Sequence, residues 1–502
     1  MKENKFSIED KIFMNLELNK EAIGELCENS SDVIMAPFSS AGHSCCAVWC
    51  DGMVNMLQSW ELLYQQLLSV EKSEARTPEE LFNVLTTKNP KLIDTKTCED
   101  FSTLFFCIGA GNIVLLIERC NKAVIIGAQG YSFRAVSESY TEENVRSARE
   151  GFAEPLRVNI TLVRRRLKTN KLVFDVQKVG KLTNTEVAVT YLSDRVDKKN
   201  VASIKKRLSE IDIEMVLESG FIEPFLENNS MSLFSGVGHT ERPDSFCGKL
   251  REGRIGIIVD GTPFALILPH LFAENFQSFD DYTNKPYYAT MIRMLKYLAF
   301  AISCFLPGIY VAIVNYTPDI LPLQMIINIS KAQQGTPLPL MFEALFIHLV
   351  YEIVREAGLR LPRPIGHAVS LVGALVVGEA AVNAGIVCST TVMVIALTAI
   401  SSFTIPMLYE PISIIRLATI IVGGMFGPFA VSILICALLI DICSIDSYGI
   451  PFTAPISPFA STMMSDGIVR LGWRDLTKHS RMLDELPGAK KLEEDENGQT
   501  RS

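Results

Sequence analysis

GNIVLLIERCNKAVIIG, residues 111–127, aligns without a gap to GRIGIIVDGTPFALILP, residues 253–269, at an offset of 142 residues. Each copy opens on a glycine, runs through apolar and β-branched residues, breaks at a turn and runs apolar again. That is the pattern of two strands joined by a tight turn. The same offset sets CCAVWCDGMVN, residues 45–55, against VAVTYLSDRVD, residues 187–197, each a strand leading into a helical pattern over residues 55–71 and 200–211. A constant offset across separate segments is the trace of an internal repeat. The expectation is an α/β soluble region of two similar subdomains, residues 1–140 and 169–285, joined by a basic helical linker over residues 141–168. Within the linker, Arg164, Arg165 and Arg166 are either a solvated helix face or a contact to another subunit or to anionic lipid.

The composition divides the chain along its length. Over 502 residues the net charge is −9 and 48% of residues are hydrophobic. Charges are spread through the first 285 residues, whereas Tyr287 to Cys443 is dominated by long apolar runs. Residues 286–446 therefore read as an all-α multi-pass membrane domain, and residues 447–502 as a polar tail ending in KKLEEDENGQTRS. The acidic balance argues against nucleic acid as a partner. MKENKFSIEDKIFMNLELNK, at the start, has no apolar core of a signal peptide, which puts the soluble region on the cytoplasmic side.

Little in the soluble region points to chemistry. The twelve cysteines include no Cys-x-x-Cys pair, and free thiols are the expectation in a reducing compartment. HSCCAVWC, with His43, Cys45, Cys46 and Cys50, lacks zinc spacing and fits a strand, so no metal is expected. IGAGNI lacks the third glycine of a dinucleotide fingerprint, and Walker A, Gly-x-Ser-x-Gly and His-Glu-x-x-His motifs are absent. Neither an enzyme nor a cofactor is expected.

In the apolar region, residues 296–316 are long enough to cross a hydrocarbon core of ~30 Å. Pro307–Gly308 near the middle predicts a kink, tolerated when a neighbour satisfies the freed carbonyl. Residues 319–330 are too short to span, which allows a re-entrant segment, and residues 365–386 and 387–408 read as two spans joined by a short turn. The stretch 412–443 is interrupted by GGMFGP, residues 423–428, and is either one kinked span or two half-helices. The crossing number is four to six. Basic residues at Arg293 and Lys296, at Arg355, Arg360 and Arg363, and at Arg470, Arg474, Lys478 and Arg481 all favour the cytoplasmic side. These anchors agree only if 412–443 returns to the side on which it starts.

Gly366, Ser370, Ala374 and Gly378 recur every fourth residue, the small-residue spacing that lets helices approach closely. Glu379 and Asn383 are polar at membrane depth, either hydrogen-bonded within the fold or lining an ion or water path. PLMFEALFIHLVYEIVREAGLRLPRPIGH, residues 339–367, is apolar apart from a narrow stripe of His348, Glu352, Arg355 and Glu356, with Glu343 lying off it. The stripe suits an interfacial helix with surface ion pairs or a helix lining an ion path.

FEALFIHLVYEIVREAGLRLPRPIG, SLVGALVVGEAAVNAGIV, SSFTIP (401–406), TERPD (240–244), EGRIGIIVDGTPFALILP and REGFAEPLRVNITLVRRRL resemble the GerA family of spore germination proteins, over about Asp32 to Phe459. The resemblance implies the A subunit of a nutrient germinant receptor in the inner membrane of a bacterial spore. Such subunits act beside a transporter-like B subunit and a lipoprotein C subunit, and are thought to assemble into an oligomeric, nutrient-gated ion channel. The stage V sporulation protein AF group is a close relative that the resemblance also fits.

Overall fold

The structure is a computed structural model. It describes residues 5–54, 70, 75–87, 95–130, 148–229, 231–360, 378–460, 464, 466–476, 483 and 486. The expected helix over 55–71, the small-residue positions Gly366, Ser370 and Ala374, the basic residues Arg363, Lys478 and Arg481, and the KKLEEDENGQTRS terminus lie outside the described residues.

The soluble half is built twice. In the first copy, strands β1 (Val33–Ser40), β2 (His43–Cys50), β3 (Thr95–Cys98), β4 (Asn112–Ile117) and β5 (Ala123–Gly127) form an antiparallel sheet in the order β1-β2-β4-β5-β3. In the second, β6 (Leu172–Val179), β7 (Thr185–Leu192), β8 (Gly238–Thr240), β9 (Ile255–Val259) and β10 (Ala265–Leu268) repeat that order as β6-β7-β9-β10-β8. The two strand–turn–strand segments read from the sequence are β4–β5 and β9–β10. Helix α3 (Phe101–Gly109) recurs 142 residues on as α6 (Pro243–Arg251). The glycine opening each segment has a left-handed φ, +86° at Gly111 and +89° at Gly253. At Gly253 a Cβ would also sit 2.6 Å from the Arg195 carbonyl, so no other residue fits without backbone movement.

Each sheet is covered on both faces, which explains strands that are apolar on both sides. Along β2, Cys46, Val48 and Cys50 face the cluster under α1 (Leu16–Leu26) and α3, while Cys45, Ala47 and Trp49 face the cluster under α2 (Pro78–Thr87). Along β7, Val187, Val189 and Tyr191 face α5 (Lys198–Ser209), while Ala188 and Leu192 face α4 (Leu156–Arg166) and α6. The cysteine-rich strand is therefore core packing. Burial pushes the Cys45 and Cys50 thiols up to about 12 and Cys46 to about 11, leaving them protonated and unreactive.

The basic linker is not a freely solvated face. Arg164 is 3% exposed and grips Asp32 of the first copy through two bonds of 2.7 and 2.8 Å, while also donating to the Leu172 carbonyl of the second. Arg165 and Arg166 both pair with Glu150. The cluster is consumed internally because α4 lies between the two subdomains, where opposite charges and strand-end carbonyls are within reach.

The helical half comprises α7 (Pro286–Tyr316), α8 (Leu323–Gln333), α9 (Leu340–Arg360), α10 (Ser389–Ser402) and α11 (Tyr409–Ser444). Among the described residues, two segments are long and apolar enough to cross a membrane, Pro286–Tyr316 and Pro406–Ser444. The expected span over 387–408 is shorter than anticipated. α10 has 14 residues, about 21 Å, and ends before Pro406. The 36 residues of α11 would extend about 54 Å if straight, but Gly427 breaks the helix at φ 77° and ψ −170°. A Cβ on Gly423 would lie 3.3 Å from the Val431 side chain, whereas eight residues of straight helix separate such positions by about 12 Å. Ile412 and Ile415 also share one core cluster with Ile442 and Ile445. The stretch is two arms of a hairpin, turned at Gly427–Pro428, whose second arm packs back along the first.

After the hairpin the chain does not trail away as a polar tail. Tyr448 is buried in the second subdomain's core and donates to the Leu226 carbonyl, and Phe452 joins the cluster of Phe234 and Phe276. The aromatic and apolar residues of SYGIPFTAPI fasten the end of the hairpin to the soluble half.

Candidate functional site

The polar residues of the helical half are organised by two prolines. Pro307 lacks the N–H that would bond the carbonyl of Ser303, four residues earlier in α7. The Nε of Arg416, from the first arm of α11, donates to that carbonyl at 2.9 Å. Pro428 correspondingly frees the Gly424 carbonyl, and the Tyr316 hydroxyl at the end of α7 donates to it at 3.2 Å and to Met425 at 2.6 Å. Each helix thus caps a carbonyl opened by proline in the other. Between these points the backbones touch: a Cβ on Gly308 would lie 2.4 Å from the Thr419 carbonyl, and one on Gly423 2.4 Å from the Gly308 carbonyl. The close approach expected of the 366–378 series is thus seen at α7 and α11. Of that series only Gly378 is described, and a Cβ there would make ordinary contact with Val392 at 3.7 Å.

The charged stripe of α9 is divided. His348 is buried, and Glu352 is turned toward the start of α11, accepting from the Tyr409 hydroxyl and the Ser413 hydroxyl at 2.7 Å each. Arg355 donates to Glu352 at 3.3 Å and stacks its guanidinium 3.4 Å from the Tyr409 ring centre. Glu356 faces outward with Arg360, 2.6 Å away. His348 and Glu352 approach at 4.0 Å, and the Nδ1 of His348 is buried without a partner. Glu379 and Asn383 are exposed on the chain.

Three buried charges were not among the candidate site residues drawn from the sequence. Arg416 is fully buried and, among the described residues, bonds only carbonyls, those of Ser303 and of Thr398 at 3.5 Å. Glu343 is fully buried on α9 and accepts from the Cys388 backbone N–H and the Thr391 hydroxyl, at the start of α10. Arg293, read as a membrane-flanking anchor, is fully buried where α7 meets the soluble half, bonded to Asp281 at 2.7 Å and Asp466 at 3.1 Å. Beside it, burial pushes Glu274 up, but the Arg254 and Lys249 charges and His270 outweigh that and hold it well below the usual carboxylate range. Arg293 needed its acidic partners, which lie 12 and 173 residues away. Among the described residues no group of three or more histidine, cysteine or acidic side chains could hold a metal ion.

Comparisons with known proteins cover nearly the whole chain. The family described as Bacillus/Clostridium GerA spore germination protein matches residues 21–482. Spore germination protein KA of Bacillus subtilis is 36% identical over 477 residues, 94% of this chain and 86% of its own length. Spore germination protein GerLA of Bacillus cereus is 38% identical over 360 residues, 71% of this chain and 73% of its own. Among solved structures, the N-terminal domain of the A subunit of the Bacillus megaterium spore germinant receptor GerK3 is 27% identical and covers 53% of this chain and 99% of that one, with a TM-score of 0.43.

Proposed function

The chain belongs to the GerA family of spore germination proteins, and on that premise we propose that it is the A subunit of a nutrient germinant receptor, forming or gating an oligomeric ion channel. In this reading it resides in the spore inner membrane with the soluble half on the cytoplasmic side. It works beside a transporter-like B subunit and a lipoprotein C subunit, and catalyses no reaction. The observation that carries the gating role is the joint between α9 and α11: Glu352 binds Tyr409, Ser413 and Arg355 at once. Rotation of α9 would break the Tyr409 and Ser413 bonds together and lift Arg355 off the Tyr409 ring, giving a joint with two distinct positions rather than a sliding contact.

His348, Glu352 and Arg355 form the latch in this reading. Glu356, Glu379 and Asn383 lie on outer surfaces of the chain, where copies arranged around a symmetry axis would bring them into rings beside a water-filled path. Gly366, Ser370 and Ala374, with Gly378, are assigned to packing between helices. The experiment is ion flux from liposomes carrying the complete receptor at matched reconstitution. Glu352→Gln keeps the shape but weakens all three contacts, so nutrient-independent leak should rise several-fold. An unchanged leak and unchanged cation preference would remove Glu352 from gating. A second class of reading, an accessory protein that only anchors partners, predicts no flux from any reconstituted complex.

A further inference from the structure

We propose that Glu343 is a binding site for a dehydrated monovalent cation at the N-terminus of α10. Glu343 is fully buried, and its α9 neighbours Leu340, Ala344 and Ile347 belong to an apolar cluster with Val311 and Val387. Its Oε2 accepts both bonds, from the Cys388 N–H at 3.1 Å and the Thr391 hydroxyl at 3.2 Å. Its Oε1 is equally buried and has no hydrogen-bond partner among the described residues. Nor does any basic side chain among the described residues form an ion pair with it. The buried Arg416 bonds α10 at Thr398, seven residues or about 10 Å farther along that helix than Thr391.

A buried charged group without a counter-charge costs several kcal/mol, and a buried polar atom without a partner calls for an explanation. The positive end of the α10 dipole and two donors account for Oε2 only. A water molecule would complete the hydrogen bonding of Oε1 but not balance the charge; a small cation does both. The surroundings suit one. The Thr391 oxygen keeps a lone pair after donating, and the Thr390 hydroxyl, 3.0 Å from the Tyr310 hydroxyl and 2.8 Å from the Cys388 sulfur, is beside it on the first turn of α10. Hard cations select such sets of carboxylate and neutral oxygens. The site holds together α7 through Tyr310, α9 through Glu343 and α10 through its first turn, so occupancy would stabilise that three-helix contact. It is an equilibrium binding site and stands whether or not the helices conduct.

The test is thermal unfolding of the full-length protein in lipid nanodiscs, in lithium, sodium, potassium and choline chloride at equal ionic strength. At least one alkali cation should raise the melting temperature along a saturable curve that choline does not give. Glu343→Gln should abolish that rise, and Thr391→Val should move its midpoint to several-fold higher concentration. Melting temperatures that are the same in all four salts overturn the proposal, as does a cation dependence that survives Glu343→Gln. Should Glu343→Gln not fold, the Thr391→Val midpoint decides. A protonated-carboxyl infrared band that persists in saturating alkali cation and vanishes in Glu343→Gln identifies a proton as the occupant, and also overturns the proposal.

Discussion

Arg164 in the soluble half and Arg416 in the helical half are buried to nearly the same degree, 3% and 0% exposed, but their charges are met differently. Arg164 faces a carboxylate across two bonds, with backbone carbonyls of Thr169 and Leu172 filling the remainder of its fork. Arg416 has no carboxylate within ion-pair distance among the described residues and spends its guanidinium on carbonyls, with Nη1 unpartnered. The first joins two repeats of one fold. The second repairs a helix that proline has opened. In the soluble half polar burial is charge against charge; in the helical half it is side chain against freed backbone, which is what apolar surroundings demand of any irregular helix.

The largest effect should come from separating the charge pair. Arg164→Met leaves Asp32 buried and uncompensated, and breaking such a pair costs about 3–5 kcal/mol. Replacing both partners, Arg164→Met with Asp32→Leu, should recover most of that, because the desolvated charge disappears along with its partner. Chemical denaturation of the full chain in detergent, followed by the fluorescence of Trp49 in the first subdomain core, measures both. A double variant as unstable as the single one would mean that the carbonyl bonds, rather than the ion pair, hold the repeats together.

A smaller effect is expected at Arg416, with a signature that the ion pair cannot give. Arg416→Met removes the donor to Ser303 and should cost about 1–3 kcal/mol. α7 is continuous through Pro307, so Pro307→Ala would supply a backbone N–H to the same carbonyl. The cost of Arg416→Met should therefore be lower in the Pro307→Ala background, a coupling of about 1 kcal/mol in a double-mutant cycle. Additive effects would show that Arg416 is retained for another reason.

The repeat and the site were not equally legible in the sequence. Offset and strand pattern located β4–β5 and β9–β10, because a strand buried on both faces must be apolar at every position. The demand of Pro307 for an outside donor was also readable from residues 296–316. The donor itself was not, since nothing local distinguishes Arg416 from any other arginine near a membrane helix. The α9 stripe was visible as periodicity, but the same periodicity fits Glu352 facing Tyr409 and Ser413 and Glu352 facing water. Arg164–166 misled for a related reason: consecutive arginines look like surface until Asp32 and Glu150, distant in sequence, are folded against them.

The smallest effect, and the sharpest for the hairpin, concerns Tyr316. Its hydroxyl caps the Gly424 and Met425 carbonyls, and its ring lies against Gly427, where a Cβ would come within 3.0 Å. The side chain is about half exposed, so water can replace part of what Tyr316→Phe removes, and the loss should be about 0.5–1.5 kcal/mol. Here, in contrast to α7, replacing the proline should not help. Pro428→Ala restores an N–H, but the left-handed Gly427 directs that group away from the Gly424 carbonyl. Tyr316→Phe and Pro428→Ala should therefore be additive, where Arg416→Met and Pro307→Ala are coupled. Thermal melts of the two cycles under one condition make the comparison. Equal coupling in both would mean that α11 runs straight through residue 427, placing its end about 54 Å from its start and the Tyr448 segment out of reach of the soluble half.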